Sequence, residues 1–389
     1  MLKVNHDKLK YIIRKCHECK KPLYIWGGTG VGKSRTVREE AKRIGEERTR
    51  TYVEWNKLSK DEKHQIAEHP DKYFFLMDIR LSQLDPSDLR GLPGLNGKDV
   101  VEWKIPFWLY VANLKHAEGI IFLDEINLAP PSIQAAAYQL ILDRELGETK
   151  LAKEVITIAA GNREEDRANI YNLPRPLQNR FNHVELKAPH IDVSGKAQGD
   201  WAEWAIENGV DSRIVGFLTK MPGKLNPPIN KNTKERVFPT PRGWAEYCSP
   251  LIIEIPNTQL NIIEELASIS VGCGVAKEFV SYIKFQNEID FYKILQNPKL
   301  AKDLKGLDLN YALISLVAEW YNMNYKLKKG EKHPLEKVLQ ISSNLNQEEF
   351  SMLLLRFCRA RHPDEFRRDI ITVKSWNKVR ETIKKFLLS

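Results

Sequence analysis

The chain has 389 residues, 42% hydrophobic and 29% charged, a balance that excludes a mostly disordered polypeptide and allows a substantial buried core. Such a length suits two lobes with an appendage better than one compact core. The 60 Lys and Arg against 51 Asp and Glu leave +9, and from Ser351 to Ser389 ten basic and four acidic side chains carry +6 of it.

A solvated helical face is the simplest reading of that basic tail, with nucleic acid or an acidic partner as the alternative. No uncharged apolar run approaches the roughly 18 residues that span a bilayer, and the opening MLKVNHDKLK lacks the apolar stretch of a secretory signal, so a cytoplasmic protein with no membrane partner is expected. Five cysteines, odd in number and widely spread, do not make a disulfide framework.

In chain order, the first half alternates apolar β-rich runs with helix-like stretches, the pattern of a parallel sheet flanked by helices. Five strands are expected: Leu23 to Trp26, Tyr73 to Arg80, Gly119 to Leu123, Val155 to Ala160 and His183 to Leu186. The polar stretch Gly45 to Lys72 exceeds what a crossover needs and reads as an insertion; its Trp55 suits either a partner surface or a packed cover. Gly91 to Pro106 reads as a hairpin insert, with Asn96-Gly97 as its turn and Val100, Val101 and Trp103 on a returning strand. After Pro189 the pattern turns helical, broken by the Pro- and Lys-rich loop Met221 to Pro241 and by the polar stretch Gln286 to Lys305. Three parts are therefore expected: an α/β core at 1–189, with insertions 45–72 and 91–106, a helical lid at 190–287, and a helical extension at 288–389.

The chemistry lies where strands end. Gly27-Gly28-Thr29-Gly30-Val31-Gly32-Lys33-Ser34 follows one strand and opens a helix. Glycines let successive main-chain N–H groups converge on phosphate oxygens, and the helix N-terminus adds its positive dipole end. Lys33 is placed to reach the β and γ phosphates of a nucleotide such as ATP, and Ser34 to hold Mg²⁺. The run Gly119 to Leu123 ends in Asp124 and Glu125, which suit a metal-facing carboxylate and a base toward the attacking water. Val155 to Ala160 leads through Gly161 to Asn162, whose amide can orient a water without adding charge. Arg175 and Arg180 lie just before the fifth strand, and either guanidinium can stabilise a transferred phosphoryl group, often in a neighbouring molecule's site.

With these motifs the chain resembles AAA+ ATPases of the MoxR and dynein-related group over roughly residues 15 to 287. The Walker A segment is Gly27 to Ser34, Walker B is Phe122 to Glu125, and sensor 1 is Asn162. Asp88-Leu89-Arg90-Gly91-Leu92-Pro93 resembles the segment before that group's hairpin insert, and Thr240-Pro241-Arg242 the start of its sensor 2 helix. Beyond 287 the similarity, to phage-like and bacterial MoxR-type proteins, is much weaker. The resemblance implies a closed ring, usually of six subunits. Lys33, Ser34 and Asp124 would bind MgATP, Glu125 would activate water, Arg180 would serve as arginine finger and Arg242 as the lid residue near the nucleotide. It implies a chaperone-like action on a protein client, often one with a von Willebrand A-type domain. A nucleic-acid-stimulated motor or loader using the basic tail is the second reading. A GTP-using translocase is the third, without a guanine-specific motif to support it.

Two features carry little chemistry. Cys16 and Cys19 form a single CxxC with no second pair in reach, a weak zinc signal. Trp201 and Trp204, three apart on an expected helix, suit core packing.

Overall fold

The computed structural model describes all residues except 96–100, 164–170, 172–173, 192–200, 229–235, 326–332, 371 and 374–389. The chain divides into two units, Met1–Ala188 and Pro189–Ser389.

The first unit opens with β1 (Leu2–Val4), α1 (His6–Cys19), β2 (Leu23–Trp26), α2 (Lys33–Glu47), β3 (Thr51–Glu54), α3 (Lys60–Glu68) and β4 (Tyr73–Arg80). It continues through α4 (Pro86–Arg90), β5 (Leu92–Leu95), β6 (Val101–Lys104), α5 (Phe107–Asn113), β7 (Glu118–Asp124) and α6 (Pro131–Leu142). It closes with β8 (Glu145–Leu146), β9 (Thr149–Lys150), β10 (Glu154–Gly161), α7 (Arg175–Gln178) and β11 (Asn182–Leu186). Seven strands form one sheet in the order β1-β11-β2-β10-β7-β4-β3, every pair parallel. The expected fold class, a parallel sheet flanked by helices with a helical part following, is present.

The five expected strands are the inner five, and the count of five is corrected to seven by an added strand at each edge. β1 and β3 give no strand signal in the sequence because each is short and mostly open to solvent on at least one face, so neither carries a continuous apolar run. The stretch 45–72 is corrected as well. It is not wholly an insertion, since α2 runs to Glu47 and β3 pairs with β4 from Thr51↔Tyr73 to Glu54↔Leu76. Trp55 follows β3 and is 8% exposed, packed in the core with its ring 5.9 Å from Phe107, which is the packed-cover reading.

Helices cover the sheet with amphipathic faces. α1 buries Leu9, Ile13, Cys16 and His17, starts on the Asn5 side chain, which accepts from the Lys8 N–H, and ends on Lys20 in a left-handed turn. α2 buries Val37, Ala41 and Ile44, and carries Arg35–Glu39 and Arg43–Glu47 pairs on its outer side. Glu40 of α2, 1% exposed, is matched by Arg14 of α1 at 2.7 Å. The β5–β6 hairpin is antiparallel, Leu92↔Lys104 to Leu95↔Val101, as expected; its Asn96-Gly97 turn and Val100 lie outside the described residues.

The second unit is helical in its described residues: α8 (Trp201–Glu207), α9 (Ser212–Lys220), a π-helix at Gly243–Cys248, α10 (Ser249–Ile252), α11 (Leu260–Val271), α12 (Cys273–Asn287), α13 (Phe291–Gln296), α14 (Leu307–Asn324), α15 (Pro334–Ser342), α16 (Glu348–Arg361) and α17 (Pro363–Ile370). One hydrophobic core runs from Ile191 to Val373, and Trp201 lies in it with Trp204 packed against it. A buried ion pair fixes the start of α9: Arg213 bonds Asp211 and the carbonyls of Ile252 and Ile255. The basic tail is described only to Val373, and 229–235 of the Pro- and Lys-rich loop fall outside the described residues.

Candidate nucleotide site

The register of the sheet decides where side chains meet. Gly161 of β10 pairs with Trp26 of β2, and Ala159 with Leu123 of β7, so the carboxyl ends of the three central strands lie together. That edge is where open parallel sheets bind ligands.

The loop after β2 is shaped by its glycines. Gly30 and Gly32 have φ of 73° and 96°, conformations in which an L side chain is strained. Gly32 caps α2, and its carbonyl accepts from the N–H and the hydroxyl of Thr36, both at 2.9 Å. From below, the ring of His6 supports the loop: Nε2 donates to the Val31 carbonyl at 2.9 Å, which fixes the tautomer, and burial lowers the pKa of that ring. Gly28 and Val31 are buried while Thr29 is exposed.

Lys33 is 9% exposed, and its Nζ donates to the carbonyls of Gly27 (2.7 Å) and Gly28 (2.9 Å) and to Asn162 Oδ1 (3.1 Å). The Ser34 hydroxyl donates to Asp124 Oδ2 at 2.7 Å, and the Glu125 N–H donates to Asp124 Oδ1 at 3.0 Å. Five residues expected to act together, Lys33, Ser34, Asp124, Glu125 and Asn162, therefore stand at one edge of the sheet. Glu125 sits at φ 54°, ψ 35°, a left-handed conformation rare for a non-glycine residue.

A second carboxylate lies beside Asp124. Burial and the Asp124 charge push the Asp78 carboxyl up, against the pull of Arg38, which donates to it at 2.8 Å. Asp78 was not foreseen, nor were His6 and Asn127. Asn127 is 1% exposed, and its carboxamide bonds both main-chain groups of Asn162. A polar residue between Ile126 and Leu128, close after an apolar strand, was the available signal for it.

The remaining expected residues are placed singly. Arg175 starts α7 and Arg180 lies in the turn after it, both exposed. Phe181, next to Arg180, is buried edge-on against Tyr24 at 5.4 Å. Thr240 Oγ1 accepts from the Gly243 N–H at 2.9 Å, so Thr240-Pro241-Arg242 does open a helix; Arg242 is exposed and pairs with Glu246 at 3.6 Å. In α1 Cys16 is buried and Cys19 exposed, and among the described residues no group of three His, Cys, Asp or Glu is placed to hold a metal. No described helix is long and apolar enough to cross a membrane.

No protein-family model matches the chain, and no curated protein matches it. Solved structures similar to it include NtrX from Brucella abortus in complex with ADP, at 11% identity and a TM-score of 0.31, covering 98% of this chain and 68% of that one. PCH-2 from C. elegans gives 10% identity and a TM-score of 0.29, covering 81% of this chain and 67% of that one. The Holliday junction branch migration motor RuvB from Thermotoga maritima gives 13% and 0.25, covering 86% and 74%.

Proposed function

We propose that this chain is an ATPase of the AAA+ class, of MoxR and dynein-related type, which forms a ring, six subunits in the usual case, and uses ATP hydrolysis to remodel or activate a partner protein. The observation that supports it most is the meeting of Lys33, Ser34, Asp124, Glu125 and Asn162 at the carboxyl ends of β2, β7 and β10. A lone GxxxxGKS is a turn motif; these five together form a phosphate cradle with a cation, a metal-binding pair, a base and an amide.

Each role follows from chemistry. The main-chain N–H groups of Gly28 to Ser34 and the N-terminus of α2 bind phosphate oxygens, and Lys33 adds a point charge. The Ser34 hydroxyl and Asp124 carboxylate, 2.7 Å apart, are hard oxygen donors of the kind Mg²⁺ takes alongside phosphate oxygens. When bound there, the ion would neutralise phosphate charge. Glu125 takes the proton of the attacking water, and the Asn162 amide orients that water. In this reading Arg180 completes a neighbour's site, and Arg242 is the sensor 2 residue of the resemblance.

Phosphate release from ATP, with and without Mg²⁺, tests the activity, and Lys33→Ala should abolish it together with binding. Mixing Arg180→Ala subunits with Lys33→Ala subunits tests the ring: recovery of turnover is expected if Arg180 acts on its neighbour, and no recovery at any ratio would assign the finger elsewhere, with Arg175 the next choice. Adding DNA or RNA separates the client classes. Turnover raised several-fold would replace the protein client with a nucleic acid and the von Willebrand A-type partner with the basic tail.

A further inference from the structure

We infer that Asn127 is a positioning residue that holds the water-orienting Asn162 in register through its main chain, a role that rests on the ATPase reading above. The carboxamide of Asn127 takes both main-chain groups of Asn162: Nδ2 donates to the carbonyl at 2.7 Å, and Oδ1 accepts from the N–H at 3.1 Å. Two bonds from one planar group fix both the position and the rotation of the peptide it grips.

The sheet cannot supply that hold. Pairing of β10 with β7 ends at Ala159↔Leu123, and pairing with β2 ends at Gly161↔Trp26, so Asn162 lies past both ladders. Its main-chain groups are buried with its side chain, 8% exposed, and a buried main-chain group without a partner is costly. The Asn127 amide stands where a strand neighbour would. Asn127 in turn belongs to the tight turn Ile126–Leu128 that follows Glu125, and its own carbonyl accepts from Tyr171 N–H at 2.7 Å. One side chain thus ties the turn carrying the base to the strand end carrying the amide.

The space around this contact has been kept clear. A Cβ on Gly161 would come within 2.6 Å of Asn127 Oδ1 and 2.0 Å of Tyr24 Oη, so any side chain there would displace the clamp. A carboxamide is also the side-chain group of this size that offers a donor and an acceptor side by side. Leucine offers neither, and an ionised aspartate only accepts.

The test compares the wild type, Asn127→Ala and Asn127→Asp, with binding of a fluorescent ATP analogue measured beside kcat and KM for ATP. Asn127→Ala should lower kcat by about 100-fold while affinity for the analogue stays within about threefold, because orientation is lost and the phosphate cradle is not. Asn127→Asp separates positioning from packing. Ionised, it lacks the donor and sets a negative charge against the Asn162 carbonyl; protonated, it regains an O–H donor beside its carbonyl acceptor. Burial raises the pKa of such a carboxyl, so the kcat of Asn127→Asp relative to wild type should rise as pH falls from about 8 to about 6. With the folded fraction of Asn127→Asp shown by circular dichroism to match wild type across that pH range, a merely structural contact would give no such divergence, and if Asn127→Ala fails to fold, this profile decides alone. A parallel profile, or wild-type kcat in a folded Asn127→Ala, overturns the role. A wild-type chain that binds the analogue but hydrolyses no ATP overturns the ATPase reading itself, and the Asn127 role with it, before any substitution is made.

Discussion

Glu125 and His17 show how single residues carry cost. The left-handed conformation of Glu125 costs a non-glycine residue about 1–2 kcal/mol. Glu125→Gly should therefore be tolerated by the fold, with a thermal midpoint close to or above that of the wild type, while turnover is lost; a folded Glu125→Gly that still turns over would remove the residue from the chemistry. His17 is 1% exposed at the opposite end of the sheet, 3.6 Å from Glu118, and burial pulls its pKa down to about 4. Its folded pKa lies below the unfolded value of about 6.5, so its stabilising contribution is complete above that pH and is lost as pH falls from there toward 4. The shift corresponds to about 3 kcal/mol, so denaturation midpoints should fall less steeply in His17→Asn than in wild type over that window. Equal slopes would show that other groups govern acid stability. The motif residues were legible because phosphate chemistry demands fixed local spacings. Asn127 was not, because its partner is a main-chain group 35 residues away in sequence.

At the scale of elements, strand packing sets the tolerance to change. Gly119 of β7 passes so close to β4 that a Cβ would lie 2.2 Å from the Phe75 carbonyl and 2.4 Å from its ring. Gly119→Ala should destabilise the chain by about 1–3 kcal/mol, read as a lower thermal midpoint, whereas a midpoint equal to wild type would show that β4 and β7 can part without cost. In the second unit, Arg213→Ala would leave Asp211, 4% exposed, charged without its main partner, an expected loss of about 3–5 kcal/mol by chemical denaturation. Inner strands could be read from the sequence because burial on both faces forces an unbroken apolar run, as in Ile120 to Leu123. The edge strands β1 and β3 could not: Leu2 is 61% exposed, and the TYVE of β3 has no fully buried residue.

Across the whole molecule, the two units are built from separate cores. The residues of both cores in Met1–Ala188 come from that unit alone, and those of the helical core all follow Pro189. A fragment of residues 1–188 should thus unfold cooperatively on heating and bind nucleotide, and a fragment without a thermal transition would show that the helical unit is needed to fold it. The change of pattern near Pro189 was visible because strands cease there. A boundary near 287 has no such mark, since α12 and α14 contribute to one continuous core. Most of the +9 charge belongs to the tail, far along the chain from the phosphate cradle, so nucleotide binding does not explain it. The most direct measurement for the whole reading is ATP turnover and nucleotide binding in wild type and Glu125→Gln, side by side with Mg²⁺ present. Turnover in wild type that falls to background in Glu125→Gln, with binding retained, is the expected result, and near-normal turnover in Glu125→Gln would contradict it.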